Sequence, residues 1–226
     1  MEEKLLTLIN RDCTSPGLDA VMAAMSSLNL WIIPIALLVA ALAIYGGFRE
    51  RAMLVVLILT IIVSDSIVGN GLKHLIRRPR PNEVVAGVRI VALDLHHPLA
   101  RLREALSSQP VQPSWISVTK SRPDPNTARG RSFPSDHTLN NVCAAMVLTW
   151  FYRRFGRLYF IPAGLVSYSR IYVGSHWPSD VAISIVMALG MSLVLLALYE
   201  YLWRKLGPRV MPKTFERNQS LWGGTR

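Results

Sequence analysis

Apolar residues gather into five runs along the chain, at residues 28–47, 52–72, 138–152, 158–173 and 181–203. A helix that crosses a bilayer needs about 20 apolar residues. The first, second and fifth runs reach that length. The third and fourth, with 15 and 16 residues, are short. They read either as buried core helices or as helices whose outer end turns polar because it lines a site. Ahead of the first run, Ser15-Pro16 reads as a cap followed by a first-turn proline. Leu18, Val21, Met22, Met25 and Leu28 follow at helical spacing. This pattern predicts either a helix lying along the membrane interface or an extension of the first span. Residues 77–131 are too long for a plain connection and carry Pro98, Pro110, Pro113, Pro123 and Pro125. A short amphipathic helix at 99–106 is expected there, the rest extended or irregular.

The polar residues that interrupt this pattern are not scattered. The second run ends in Lys73-His74, and the third starts after Asp136-His137. The fourth holds Ser169-Arg170 near its end, and the fifth follows His176 and Asp180. If the runs alternate in direction, all four polar ends share one face of the membrane and build one composite site. An arginine inside an apolar run is costly and marks a functional position by default.

Composition supports a membrane protein. The chain of 226 residues is 51% apolar and only 17% charged, against about a quarter charged in soluble domains. With 25 Lys and Arg against 14 Asp and Glu, the net charge is +11. In a soluble protein that balance suggests nucleic acid; here it reads as cytoplasmic loops and anionic lipid, with no nucleic-acid partner. Arg49 and Arg51 lie in one short loop and Arg153, Arg154 and Arg157 in another. Arg204, Lys205, Arg209, Lys213, Arg217 and Arg226 lie in the tail. All fall on the face opposite the polar ends, so the positive-inside rule directs the composite site outward. The 77–131 segment, with ten basic and four acidic residues, runs against this, but long loops count for less in that rule. Cys13 and Cys143 form no disulfide framework or zinc spacing. No cleavable signal peptide is expected in residues 1–16, which lack an apolar core.

Three clusters carry candidate chemistry. Lys73 and Arg80 are seven apart, two turns of a helix that Pro79 and Pro81 would break. Ser135 and Asp136 fit ordinary helix caps, which leaves His137 unexplained; amides at such a helix start also attract anions. His176 and Asp180 are four apart. A carboxylate on one imidazole nitrogen would fix the tautomer and leave the other free for nucleophilic attack. The competing reading is a helix start with a capping aspartate. Asp65 is expected to pair within the bundle and Trp115 and Trp177 to anchor at the interface. His96 and His97 are expected on the surface. Arg101, Arg103, Arg122, Arg129 and Arg131 would meet either an anionic head group or anionic lipid.

Together these clusters resemble the type 2 phosphatidic acid phosphatase family, which shares its site with vanadium haloperoxidases. Its pattern is Lys-x6-Arg-Pro, Pro-Ser-Gly-His and Ser-Arg-x5-His-x3-Asp. The chain has Lys73-x6-Arg80-Pro81, Pro134-Ser135-Asp136-His137 and Ser169-Arg170-x5-His176-x3-Asp180. Four fixed positions recur by accident at roughly one start in 10⁵ if each matches about one time in twenty. Asp136 replaces the usual glycine, and its carboxylate would repel phosphate unless turned away. The Pro-Ser-Asp-His form is similar to the bacterial undecaprenyl-diphosphatase branch.

The resemblance implies an all-α membrane bundle of about five spanning helices plus an N-terminal interfacial helix. It would form a single domain, with an interfacial segment at 1–27, an external loop at 82–132 and a cytoplasmic tail at 204–226. It implies a metal-independent lipid phosphatase without cofactor. His176 would act as nucleophile, Asp180 as its orienting group and His137 as acid and base. Lys73, Arg80, Ser135, Asp136 and Arg170 would hold phosphate. The implied substrate is a polyprenyl phosphate or phospholipid, foremost undecaprenyl diphosphate. Lipid A 1-phosphate, phosphatidylglycerol phosphate and phosphatidic acid stay open, and a haloperoxidase or a lipid transporter are the rivals. The implied location is a bacterial inner membrane with the site facing the periplasm or exterior.

Overall fold

The computed structural model describes residues 1–93, 116–123, 128 and 130–222. The helix expected at 99–106, together with His96, His97, Arg101, Arg103, Trp115 and Arg129, lies outside the described residues. The chain is a membrane helical bundle, as the apolar runs predict. Three helical stretches, Leu28–Tyr45, Phe48–Val84 and Pro178–Val210, are long and apolar enough to cross a membrane among the described residues.

The N-terminal segment forms α1 (Glu2–Thr7), a π-type turn at Leu8–Asp12 and α2 (Pro16–Ser26). Ser15 caps α2, its hydroxyl accepting from the Leu18 amide at 3.2 Å. The segment does not extend the first span, because Ser27 is in an extended conformation and breaks the helix. Buried Asn10 ties the segment down. Its amide donates to the carbonyls of Arg89 (2.8 Å) and Tyr172 (2.6 Å), so its polar atoms are satisfied as burial demands.

The first run is α3 (Leu28–Tyr45), which has no buried residue and faces Ile33, Leu37 and Ile44 outward. The second run is α4 (Phe48–Ile62), a π-type segment at Val63–Gly69 and α5 (Asn70–Ile76). A π segment winds more widely, so α-helical spacing no longer tells which side chains share a face. Half-buried Asp65 sits in it, with no ion-pair partner among the described residues. Arg77, at φ 49°, turns the chain out of α5, Pro79 keeps it from resuming at once, and Pro81 takes the first-turn position of the next helix. A short α6 (Pro81–Val84) follows.

Inside the segment expected to be extended or irregular, β1 (Arg89–Leu93) and β2 (Ile116–Lys120) pair antiparallel, with Arg89 opposite Lys120 and Leu93 opposite Ile116. The bundle resumes with α7 (Asp136–Phe151), α8 (Phe160–Tyr172) and α9 (Pro178–Val210), then α10 (Pro212–Arg217). The fifth helix thus runs past residue 203, where the apolar run stops.

The two short runs have different explanations. Helix α7 is the central core helix, with Leu139, Cys143, Ala145, Val147 and Phe151 fully buried. It packs against α4, α8 and α9. Helix α8, with 13 residues, is only about 20 Å long. That is less than the roughly 30 Å hydrocarbon layer, and its end carries Ser169 and Arg170 instead of apolar residues. At the opposite end of the bundle Arg49 donates to the Phe151 carbonyl and Tyr152 to Glu50. This joins the two short basic loops on one face.

Candidate active site

Four helix ends meet where the polar residues interrupt the apolar runs. Helix α5 brings Lys73, the start of α7 brings Ser135, Asp136 and His137, and the end of α8 brings Arg170. The turn from α8 into α9 brings His176, and α9 brings Asp180. Arg80 enters from the turn before α6, where its amide donates to the Glu83 carboxylate at 2.9 Å. The charges of Arg170, Lys73 and Arg80 all act on the His137 ring, and those of Arg170 and Arg80 act on His176.

His176 does not sit on a helix. Helix α9 starts only at Pro178, so the spacing of four does not place His176 and Asp180 on one helical face. The imidazole Nδ1 lies 2.6 Å from the Ser132 carbonyl oxygen and 4.0 Å from Asp180 Oδ2. A carbonyl only accepts, so Nδ1 carries the proton and Nε2 keeps its lone pair. The tautomer expected from Asp180 is therefore held by a backbone carbonyl instead.

Asp180 is fully buried and its oxygens are all engaged. The Ser132 hydroxyl donates to Oδ2, the Trp177 amide donates to Oδ2 at 3.1 Å, and Arg78 Nη1 donates to Oδ1 at 2.6 Å. The capping reading of Asp180 thus holds, while its carboxylate stands 4.0 Å from the imidazole and reaches His176 through Ser132. It caps α9 while fixing Ser132, whose carbonyl holds His176. Trp177, expected at the interface, is instead buried beside the site. It donates to the Pro79 carbonyl at 2.9 Å and lies under the Arg78 guanidinium.

Ser135 stands at the cap position of α7 but its hydroxyl makes no cap bond. It accepts from Thr138 at 3.1 Å, while the Ser135 amide donates to Ser184 at 3.0 Å. The Asp136 carboxylate bonds Lys73. Like charges about 4 Å apart repel by about 4 kcal/mol at an effective dielectric of 20. The Lys73 pairing removes that obstacle by turning the carboxylate onto a cation.

Arg170 is buried at 8% exposure. Its Nη1 bonds Ser26, but its Nε is buried and has no hydrogen-bond partner among the described residues. An unsatisfied guanidinium N–H beside two histidines is what an anion site presents before its anion arrives. The same cations bear on His176. Burial, Arg170 and Arg80 hold its imidazole well below the ordinary range, so the ring is neutral at neutral pH, as a nucleophile must be.

Sequence reasoning missed three contributors: Ser132, Arg78 and Ser184. Arg78 lies between Lys73 and Arg80, and Ser132 three residues before Ser135. Ser184 bears no signal beyond its place one turn after Asp180, whose carbonyl it bonds at 2.6 Å.

An apolar cavity of about 340 Å³ opens beside His137, between α3 and the α7–α8 pair. Trp31, Ile35 and Leu38 line one side, and Asn141, Tyr159 and Val166 the other.

Comparison with known proteins agrees with this architecture. The family model of the PAP2 superfamily matches residues 52–204. Undecaprenyl-diphosphatase BcrC of Bacillus subtilis (strain 168) is 39% identical over 62 residues, covering 27% of this chain and 32% of that protein. The match spans about a third of the relative's length. The crystal structure of Aquifex aeolicus LpxE shares the fold, with a TM-score of 0.56 at 22% identity, covering 87% of this chain and 94% of that one.

Proposed function

Because the chain belongs to the PAP2 superfamily, we propose that it hydrolyses a lipid phosphate or diphosphate through a phosphohistidine intermediate. The observation that carries this reading is the His176 ring, with Nδ1 bound to the Ser132 carbonyl, beside Arg170 and Arg80.

In this reading Nε2 of His176 attacks phosphorus in line with the bond to the lipid oxygen. His137, protonated once the phosphate anion offsets the surrounding charges of Arg170, Lys73 and Arg80, gives that proton to the oxygen as it leaves, then takes a proton from the water that hydrolyses the phosphohistidine. Lys73, Arg80, Arg170, the Ser135 hydroxyl and the Asp136 amide hold the phosphoryl oxygens. Phosphoryl transfer depends mainly on positioning and charge stabilisation. Arg80 and Arg170, with Lys73 shared with Asp136, supply that charge without a metal. Asp180 offsets the positive charge that the ring acquires.

The apolar cavity next to His137 supports a substrate with a hydrocarbon chain. Undecaprenyl diphosphate is the foremost candidate, supported by Pro134-Ser135-Asp136-His137 and by the 62-residue likeness to BcrC. The deciding experiment is phosphate release by detergent-solubilised protein in chelator. Undecaprenyl diphosphate, lipid A 1-phosphate, phosphatidylglycerol phosphate and phosphatidic acid form the panel. Release from undecaprenyl diphosphate fastest, with inhibition by vanadate, is expected. Loss of activity in chelator with recovery on adding magnesium would overturn the metal-independent mechanism. A transporter would release no phosphate, and a haloperoxidase would oxidise halide with vanadate bound.

The site faces the periplasm or exterior of an inner membrane in this reading, with the basic loops and tail in the cytoplasm. Cys13 is exposed in the N-terminal segment on the site's side, and Cys143 is buried. An impermeant maleimide should label the protein in intact cells, and Cys13→Ser should abolish that labelling. Labelling only after lysis would reverse the orientation.

A further inference from the structure

The buried Asp180 does not end the network behind His176. Arg78 bridges from it to the N-terminal helix, donating to Asp180 Oδ1 at 2.6 Å and to Glu2 Oε2 at 2.7 Å. Glu2 Oε1 in turn accepts from the Ser179 amide at 3.2 Å and from the Ser179 hydroxyl. The carboxylate therefore sits at the N-terminus of α9, where negative charge is favoured. Arg78 also donates to Ser179 Oγ at 2.7 Å and lies over the Trp177 ring, so its guanidinium is held from several directions.

Counting charges shows what Glu2 does. Alone, Arg78 and Asp180 would present a neutral pair to His176. With Glu2 added, the cluster carries one net negative charge. The other charges around His176 are cations: Arg170 on α8 and Arg80 before α6, with His137 on α7 facing it also. Lys73 is paired with Asp136. Arg78 and Glu2 are 29% and 33% exposed and Asp180 0%, so solvent screens the Glu2 end of this chain in part and spares the Asp180 end.

We propose that Glu2 is a positioning residue of the active site, which by balancing Arg78 lets Asp180 offset the charge that His176 acquires on phosphorylation. The inference rests on the phosphohistidine reading above. It makes residue 2, 174 positions before the nucleophile, part of the catalytic support. Changes at this position should therefore alter the chemical step and not only expression.

The test is Glu2→Gln, which keeps the shape and removes the charge. We expect kcat about tenfold lower, the size of effect typical when partners behind a ligating histidine are removed. KM should stay within about twofold, since Glu2 touches no substrate. Losing a negative charge disfavours the imidazolium, so the titration of the His176 ring, followed by NMR in detergent, should move to lower pH. A merely structural role would lower the folded fraction without moving that titration. If Glu2→Gln does not fold, the same measurements on Arg78→Lys decide, because lysine keeps the charge but not the two-sided fork. Unchanged kcat and an unmoved His176 titration would overturn the proposal. The titration needs no turnover, so a wild-type protein that releases no phosphate from any lipid would sink the phosphatase reading while this test still stands.

Discussion

His176→Ala is expected to abolish turnover, by at least about 10⁴-fold, and to remove the phosphoprotein altogether. Losses of this size accompany removal of a covalent nucleophile whose partners act as a unit. The ring is buried at 3% exposure, its Nδ1 is occupied by the Ser132 carbonyl, and only Nε2 is left to react. With alanine there, Lys73, Arg80 and Arg170 are expected to bind the phosphate as before, so KM should change far less than kcat. Wild-type protein rapidly quenched with radiolabelled substrate should yield an acid-labile, base-stable phosphoprotein, the stability expected of phosphohistidine. The variant should yield none. Phosphoprotein persisting in His176→Ala but lost in His137→Ala would exchange the two roles.

His137→Ala should cost less and depend on the leaving group. A general acid contributes about 10²–10⁴-fold, and less where the departing group needs little help. A diphosphate expels a phosphate monoester, a better leaving group than the alkoxide expelled by a monophosphate. The loss should therefore be smaller on a lipid diphosphate than on phosphatidic acid. In the proposed cycle His137 also serves the second half, so the variant should accumulate phosphoprotein wherever water activation becomes slower than its formation. Its carbonyl accepts from Asn141 at 2.9 Å, a contact that alanine retains, so the helix start should survive the substitution. Equal losses on both substrate types would remove His137 from the role of proton donor.

The spans were legible because a membrane makes helix formation a local matter. In hydrocarbon each segment must satisfy its own backbone groups, so an apolar run of sufficient length already specifies a helix. The polar ends were legible for the complementary reason. Arg170, His137 and Asp180 are too costly in an apolar setting to be incidental, and Lys73, Arg80, Ser135 and Asp136 join them through fixed spacings. The β1–β2 pair was not foreseen, although Arg89–Leu93 and Ile116–Lys120 are rich in branched residues. Pairing between segments separated by 22 residues leaves no periodic trace in either segment.

By itself, then, the sequence determined which apolar runs are helical, which of their ends are polar and which side chains those ends carry. Each of these depends on near neighbours along the chain. Only the tertiary structure decided what each site residue bonds. The His176 tautomer is set by a carbonyl 44 residues away, Asp180 is met by an arginine 102 residues away, and Asp136 turns onto a lysine 63 residues away. Glu2 reaches a helix start 177 residues away. Spacing of four suggested a His176–Asp180 contact because it assumed a helix through both, and the chain starts that helix two residues too late. Hydrogen-bond partners are chosen by distance in space, and where the bundle brings several acceptors within reach, the packing of the helices selects among them.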